Sequence, residues 1–246
     1  MRIVSIASGS KGNATVVEHD GSAIMIDCGV PYKSLKGYEV EAALVTHSHI
    51  DHVSGLSTLV KRRDIPVYAN MMTAETVAHE YGVPEDAFVC FENGQPFEIG
   101  PFTVQPFSIP HDTSDPVGFL VRAGEATYFH GTDIGTPLDS IGLKLAEADV
   151  ATLESNHDPV MLRTSGRPPC LIQRIAGPRG HLSNDQACNL VKRFASPRLK
   201  RLALAHLSRD CNAPHLAEGA MRAALAEMGR GDVSLKVLSQ NEVVEV

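Results

Sequence analysis

The sequence predicts an α/β fold in which helices cover β-sheets, and two observations carry that reading. Hairpin-forming strands come first and strict strand–helix alternation follows, the order expected of helices packed on sheets. The chain has 246 residues, 43% of them hydrophobic, with no fixed-period repeat, low-complexity tract or linker. That is enough apolar material for one large core-bearing unit.

The elements follow in order. "RIVSIA" and "ATVVEH" read as strands flanking the turn-rich "SGSKGN", and Asp20-Gly21 marks a hairpin before the strand "SAIMIDCG". "EAALVT" is a short apolar strand. Val53, Leu56, Leu59 and Val60 have helical spacing in "VSGLSTLVKRR". "IPVYAN" reads as a strand and "TAETVAHEY" as a helix closed by Gly82. "FTVQPFSI" and "VGFLVRA" are strands separated by "PHDTSDP"; "ATYFHGTD" is a strand, "LDSIGLKLAEA" a helix and "DVATLES" a strand. Ser183 and Gln186 form a capping box opening the helix "NDQACNLVKRFA". "LKRLALAH" is a strand, "PHLAEGAMRAALAEM" a proline-started helix stopped by Gly229, and "SLKVLS" the last strand.

Composition narrows the setting. No apolar run approaches the ~20 residues of a membrane span, and Met1-Arg2-Ile3 leads directly into strand-like sequence without a charged-then-apolar leader. The five cysteines are scattered, with no C-x-x-C pair, so neither a disulfide framework nor a cysteine zinc cage is expected. A reduced, cytoplasmic setting is the expectation. The net charge of -7 argues against a general nucleic-acid binder, but the stretch from Pro159 to Arg201 holds nine basic residues and one acid, a net of +8 against -15 elsewhere. It reads either as a solvated face or as a wall facing phosphates.

The chemistry concentrates in "VTHSHIDHVSG". His47, His111, Asp133 and His206 each lie past the C-terminal end of an expected strand, the edge at which α/β proteins bind ligands. His47 and His49, two apart in extended chain, point the same way and can share one ion; Asp51 and His52 can turn to a second. His111 can complete the first site and His206 the second, with Asp133 a natural bridge. So many polar groups between a strand and a helix would be costly without a metal. Ordinary roles suit His19, His79, His130 and His215.

These residues also resemble a known family. "THSHIDHVSGL" matches the H-x-H-x-D-H motif of the metallo-β-lactamase superfamily, and "PHDTSDPVGF", "GTDIG" and "AHLS" match its later motifs in order. "SIASGSKGN", "ESNHDPVML", "GHLSN" and "HLSRDCN" are similar to the YycJ/WalJ-type branch, whose members are regarded as metal-dependent DNA exonucleases. The resemblance implies an αββα sandwich of two mixed sheets flanked by helices, a single domain over residues 1–246. It implies two divalent ions, zinc or manganese with iron possible. His47, His49 and His111 would hold one, Asp51, His52 and His206 the other, and Asp133 would bridge. Two departures from more distant relatives matter. His49 stands where flavodiiron oxygen reductases have glutamate, favouring hydrolysis over redox chemistry. Only 72 residues separate Asp133 from His206, too few for the inserted β-CASP-type domain of RNA-processing relatives.

The expected reaction is phosphodiester hydrolysis, from the 5′ end of DNA, by water that two ions activate. Asp51 would orient that water and take its proton, and His181 would serve the leaving oxygen or the phosphate. Ser8, Ser10 and Asn13 of the glycine loop, His157, and Ser183 with Asn184 at a helix start are candidate substrate contacts. Tight-turn packing and helix capping are their structural alternatives. A small-molecule hydrolase acting on a thioester, lactone or cyclic phosphodiester is the competing reading, and a non-catalytic metal-binding module a third. Oligomeric state is not encoded in any of these patterns.

Overall fold

The computed structural model describes residues 1–246. The strands fall into two seven-stranded sheets, and the chain into two compact units: Met1–Ser108, Thr113–Glu125 and Ser239–Glu245 form the first, and Ile109–Asp112, Ala126–Leu238 and Val246 the second.

In the first unit β1 (Arg2–Ala7), β2 (Ala14–His19) and β3 (Ser22–Ile26) form an antiparallel meander. Asp20 and Gly21 both take positive φ, as the tight β2–β3 turn requires. The sheet then turns parallel through β4 (Ala42–Leu44), β5 (Val67–Asn70) and β6 (Phe88–Phe91). Between β4 and β5 stand α1 (Ile50–Val53) and α2 (Leu56–Arg63), and α3 (Met71–Tyr81) follows β5. One continuous helix was the sequence expectation for Val53–Arg63. It breaks because the amide of Gly55 donates to the carbonyl of Cys28 at 2.8 Å, and a Cβ on Gly55 would lie 2.0 Å from the carbonyl of Val30. Asn70 caps α3, accepting from the Thr73 amide at 3.0 Å, so the helix starts earlier than the apolar pattern suggests. Leu56, Leu59 and Val60 pack with Met25, Ala43, Val45, Val67 and Val77. Each such buried side chain contributes roughly 1.5–3 kcal/mol. Antiparallel β7 (Phe97–Ile99), β8 (Phe102–Ser108) and β9 (Val117–Ala123) follow in this unit.

The second unit is a parallel array: β10 (Ala126–Gly131), α4 (Asp139–Leu145), β11 (Val150–Glu154), α5 (Pro159–Thr164), α6 (Pro169–Ile175), α7 (Asn184–Phe194), β12 (Arg201–Ala205), α8 (Pro214–Glu227) and β13 (Ser234–Val237). β11 is buried along its whole length, as parallel strands covered on both faces must be. The capping box at Ser183 and Gln186 forms as expected. The chain returns to the first unit as β14 (Val244–Glu245), antiparallel to β1. The first sheet therefore has the order β14-β1-β2-β3-β4-β5-β6. Short β6, β7 and β14 and the helices α5 and α6 had no counterpart in the sequence reading. No helix is long and apolar enough to cross a membrane.

This topology places the chemistry. β4 runs into His47, β10 into Asp133 and β12 into His206, while Glu154 is the last residue of β11 and pairs in register with Ala205.

Candidate metal centre

In the first unit, His47 and His52 are buried, and His49 and Asp51 are partly exposed. The His47 ring lies 4.8 Å from that of His49 and 4.0 Å from that of His52, centroid to centroid. Their orientation is set by Asp27, a buried carboxylate at the end of β3. Asp27 Oδ1 accepts from the Thr46 amide at 2.9 Å, and Oδ2 accepts from the Thr46 hydroxyl at 2.9 Å and from His52 Nδ1 at 2.7 Å. The Thr46 hydroxyl, having given its proton to Asp27, accepts from His47 Nδ1 at 2.9 Å. Both imidazoles thus spend their Nδ1 protons on oxygen and present Nε2 as a lone-pair donor, the arrangement that second-sphere carboxylates give metal-ligating histidines.

The "SGSKGN" loop is wired to the same motif. The Asn13 amide nitrogen donates to Asp51 Oδ2 at 3.2 Å and to His52 Nε2 at 3.0 Å, while its side-chain oxygen accepts from the Gly9 amide at 2.8 Å. The Asn13 backbone amide donates to the carbonyl of Asp51 at 2.8 Å. Gly29 makes room for this crossing: a Cβ there would lie 1.6 Å from the Asp51 carbonyl oxygen. Ser8 is buried and Ser10 is exposed at the loop tip.

In the second unit, ligand atoms of Asp133, Glu154, His181 and His206 all lie within 4.8 Å of one another. His111 Nε2 stands 3.7 Å from Asp133 Oδ1, and its Nδ1 donates to the Gly180 carbonyl at 3.0 Å. Glu154 is wholly buried. Its Oε2 accepts from the amides of Ile134 at 2.7 Å and Leu182 at 3.0 Å. Its Oε1 lies 2.8 Å from His181 Nδ1 and 3.2 Å from His206 Nδ1. Burial works against its charge, but the field and hydrogen bonds of His181 and His206 prevail and hold its pKa down to about 2. Burial likewise opposes charge on His181, and the adjacent Glu154 outweighs it and raises that imidazole above its ordinary range. His111 and His206, like His47 and His52, therefore present Nε2.

Asp27, Asp133 and His206 are three of six non-glycine residues with positive φ, so backbone strain gathers where the donors are. His206 is held in that state by Asn156, whose amide donates to its carbonyl at 2.8 Å.

Ser183 accepts from the Gln186 amide at 3.2 Å as the N-cap of α7. Asn184 is buried, its oxygen accepting from Ser155 at 2.7 Å and from Asn212 at 2.9 Å, and its nitrogen donating to Asn212 at 3.0 Å. His157 is buried, burial lowers its pKa, and its Nδ1 makes no hydrogen bond. His130 shares a 3.0 Å hydrogen bond with the Tyr128 hydroxyl inside the sheet. Asp27 and Glu154 escaped the sequence reading. Glu154 ends a strand and Asp27 directly follows one, much as His47 and Asp133 do, and that shared placement in "MIDCG" and "TLES" was the available signal.

The later part of the basic segment answers to the solvated-face reading. The segment is not one wall. Arg193 pairs with Asp139 at 2.7 Å, Arg198 with Asp149 at 2.9 Å, Lys200 with Asp232 at 3.7 Å, and Lys192 with Glu227. Acids from outside the segment neutralise these groups, a compensation that a count along the sequence cannot register.

Oriented imidazoles and carboxylates are a donor set suited to zinc, manganese or iron, so the residues present fit a divalent metal centre. Comparison with known proteins agrees. Residues 25–206 match the family described as the beta-lactamase superfamily domain. The chain is 32% identical over 236 residues to the exodeoxyribonuclease YycJ of Bacillus anthracis, covering 92% of this chain and 89% of that one. It is 29% identical over 246 residues to the exodeoxyribonuclease WalJ of Streptococcus pneumoniae serotype 2, covering 94% and 91%. The metallo-β-lactamase fold protein YhfI of Bacillus subtilis superposes over the whole of both chains with a TM-score of 0.73 at 16% identity, which bears out the expected fold. With its motif, its sheets and a match over most of both chains all in agreement, the chain belongs to the β-lactamase superfamily, in the branch of the YycJ and WalJ exodeoxyribonucleases.

Proposed function

We propose that this protein is a metal-dependent exodeoxyribonuclease that removes nucleotides from the 5′ end of DNA. The observation that carries the reading is the uniform setting of His47, His52, His111 and His206, each with Nδ1 bonded to an oxygen so that Nε2 is the ligating atom. His47, His49 and His111 are the proposed ligands of one divalent ion, Asp51, His52 and His206 of a second, and Asp133 is shared. Zinc and manganese suit these donors best, and iron is compatible with them. When bound, such a pair supplies Lewis acidity and lowers the pKa of water toward 7.

The chain's own residues divide the remaining work. Asp51, steadied by Asn13, orients the attacking water and accepts its proton. His181, its pKa raised and its ring held by Glu154, donates a proton through Nε2 to the departing oxygen. Ser10 at the glycine-loop tip and His157 with its open Nδ1 are the proposed phosphate contacts. Ser8, Ser183 and Asn184 are the further proposed substrate contacts, Asn184 standing beside His157 with its amide donating to the His157 carbonyl at 2.9 Å. The five cysteines are all free thiols, which suits a reducing compartment such as the cytoplasm.

The test is a parallel assay of the manganese- or zinc-loaded protein on 5′-labelled duplex DNA and on a thioester. Labelled mononucleotide as the first product supports the reading. Thioester cleavage without release of nucleotide would replace it with the small-molecule alternative.

A further inference from the structure

The basic segment divides along the direction of its sheet. β11 and β12 pair in register, with Val150 opposite Arg201 at one end and Glu154 opposite Ala205 at the other. At ~3.3 Å per residue those ends are about 13 Å apart. Lys192, Arg193, Arg198, Lys200 and Arg201 belong to the Val150 end, where α7 finishes and β12 begins. Arg163, Arg167, Arg174 and Arg179 follow the Glu154 end instead. They sit on α5, α6 and the turns beside them, in a stretch from 159 to 184 that contains no acidic residue.

That stretch is fastened to the candidate centre of its own unit. Arg174 Nε lies 2.6 Å from Asp112 Oδ2, Arg179 Nε donates to the carbonyl of His111 at 2.8 Å, and the stretch runs on into His181. Its charge is only partly compensated. Arg167 pairs with Asp210 at 2.8 Å and Arg174 with Asp112, whereas Arg163 is exposed and enters no ion pair. The guanidinium of Arg174 remains largely in solvent despite its pairing, with 63% of its side chain exposed. A net charge of -7 disfavours the approach of a polyanion in general, so an acid-free arginine stretch beside the centre favours one place of approach. Guanidinium groups suit that role through two-point contacts with phosphate oxygens.

We propose that α5 and α6 form the track for the DNA strand, with Arg163 and Arg167 contacting backbone phosphates beyond the one being cleaved. The proposal rests on the exonuclease reading for the identity of its ligand. The basic residues around Arg198 take no part.

The metal-loaded full chain tests this with a 5′-phosphorylated, phosphorothioate-linked 20-nucleotide single strand, binding being followed by fluorescence anisotropy across a salt series. The variants are R163E, R163E/R167E and, as the far-end control, R198E/K200E. Arg163 variants should bind more weakly by about fivefold or more near physiological salt, with the slope of log K against log salt shallower by ~0.7 for each arginine lost. Their cleavage of thymidine 5′-monophosphate p-nitrophenyl ester, too small to reach the track, should be unchanged within about twofold, and their melting temperatures unchanged. R198E/K200E should bind like the parent. Normal binding by R163E/R167E, or equal weakening by R198E/K200E, overturns the track. A parent protein that binds DNA through Arg163 yet cleaves none would overturn the exonuclease reading and leave the track standing. Cleavage of DNA that R163E/R167E does not alter would overturn the track alone.

Discussion

Glu154 Oε1 lies 2.8 Å from Nδ1 of His181, a buried carboxylate beneath an imidazole that is itself 22% exposed. Burial opposes charge on His181, and the pairing with Glu154 outweighs it and raises the imidazole's pKa while engaging Nδ1. If His181 delivers the leaving-group proton, its loss should matter in proportion to how poor the leaving group is. His181→Gln is expected to lower kcat on DNA by ~10²–10⁴-fold, the usual range for a general acid. On a p-nitrophenyl phosphodiester, whose leaving group needs no proton, the loss should be much smaller. Equal losses on both substrates would assign His181 to binding instead.

Asp27 acts through Thr46 and His52 and touches no reacting atom. Asp27→Asn keeps the size but removes the charge that orients both imidazoles. Metal affinity should fall by ~10–100-fold, the typical effect of removing a partner behind a ligating histidine. Competition with a chelating dye reads this directly, and unchanged affinity would make Asp27 merely structural.

Gly29 and Gly219 provide a matched pair. A methyl group at Gly29 would meet the Asp51 carbonyl oxygen at 1.6 Å, whereas nothing lies within 4 Å of a Cβ at Gly219, inside α8. Gly29→Ala should cost on the order of 3 kcal/mol and disturb metal binding, because the histidine motif must shift. Gly219→Ala should be neutral or stabilise by about 0.5–1 kcal/mol. Urea unfolding of the two variants checks both signs.

The thiols should react in two classes. Burial pushes Cys28 up to about 12 and Cys188 up to about 11, and Cys211 is also buried. Cys28 and Cys188 therefore stay protonated at pH 8, and all three thiols are covered. Cys90 and Cys170 are exposed. A colorimetric thiol reagent should therefore count two cysteines rapidly in the native protein and five in denaturant.

What the sequence made legible was whatever had a local signature. The capping box at Ser183, the glycine stop at Gly82, the Asp20-Gly21 hairpin and the crowded histidines from His47 to His52 are each written within a few residues. Asp27 and Glu154 are single carboxylates whose meaning arises only when a neighbouring strand brings an imidazole to them. Edge strand β6 is half exposed and lacks a clean alternation, and α5 and α6 are too short and proline-broken to show helical periodicity. The later half of the basic segment misled because charge was summed along the chain, while Asp139, Asp149, Glu227 and Asp232 neutralise it from elsewhere.

The central claim is that these donors bind two catalytic divalent ions. The most direct measurement is the metal content of the purified, zinc- or manganese-loaded chain by plasma mass spectrometry, with Asp133→Ala measured alongside. About two ions per chain, falling to one or none in the variant, is the expected result for a paired centre. Fewer than one ion in the parent, or an undiminished content in Asp133→Ala, would contradict it.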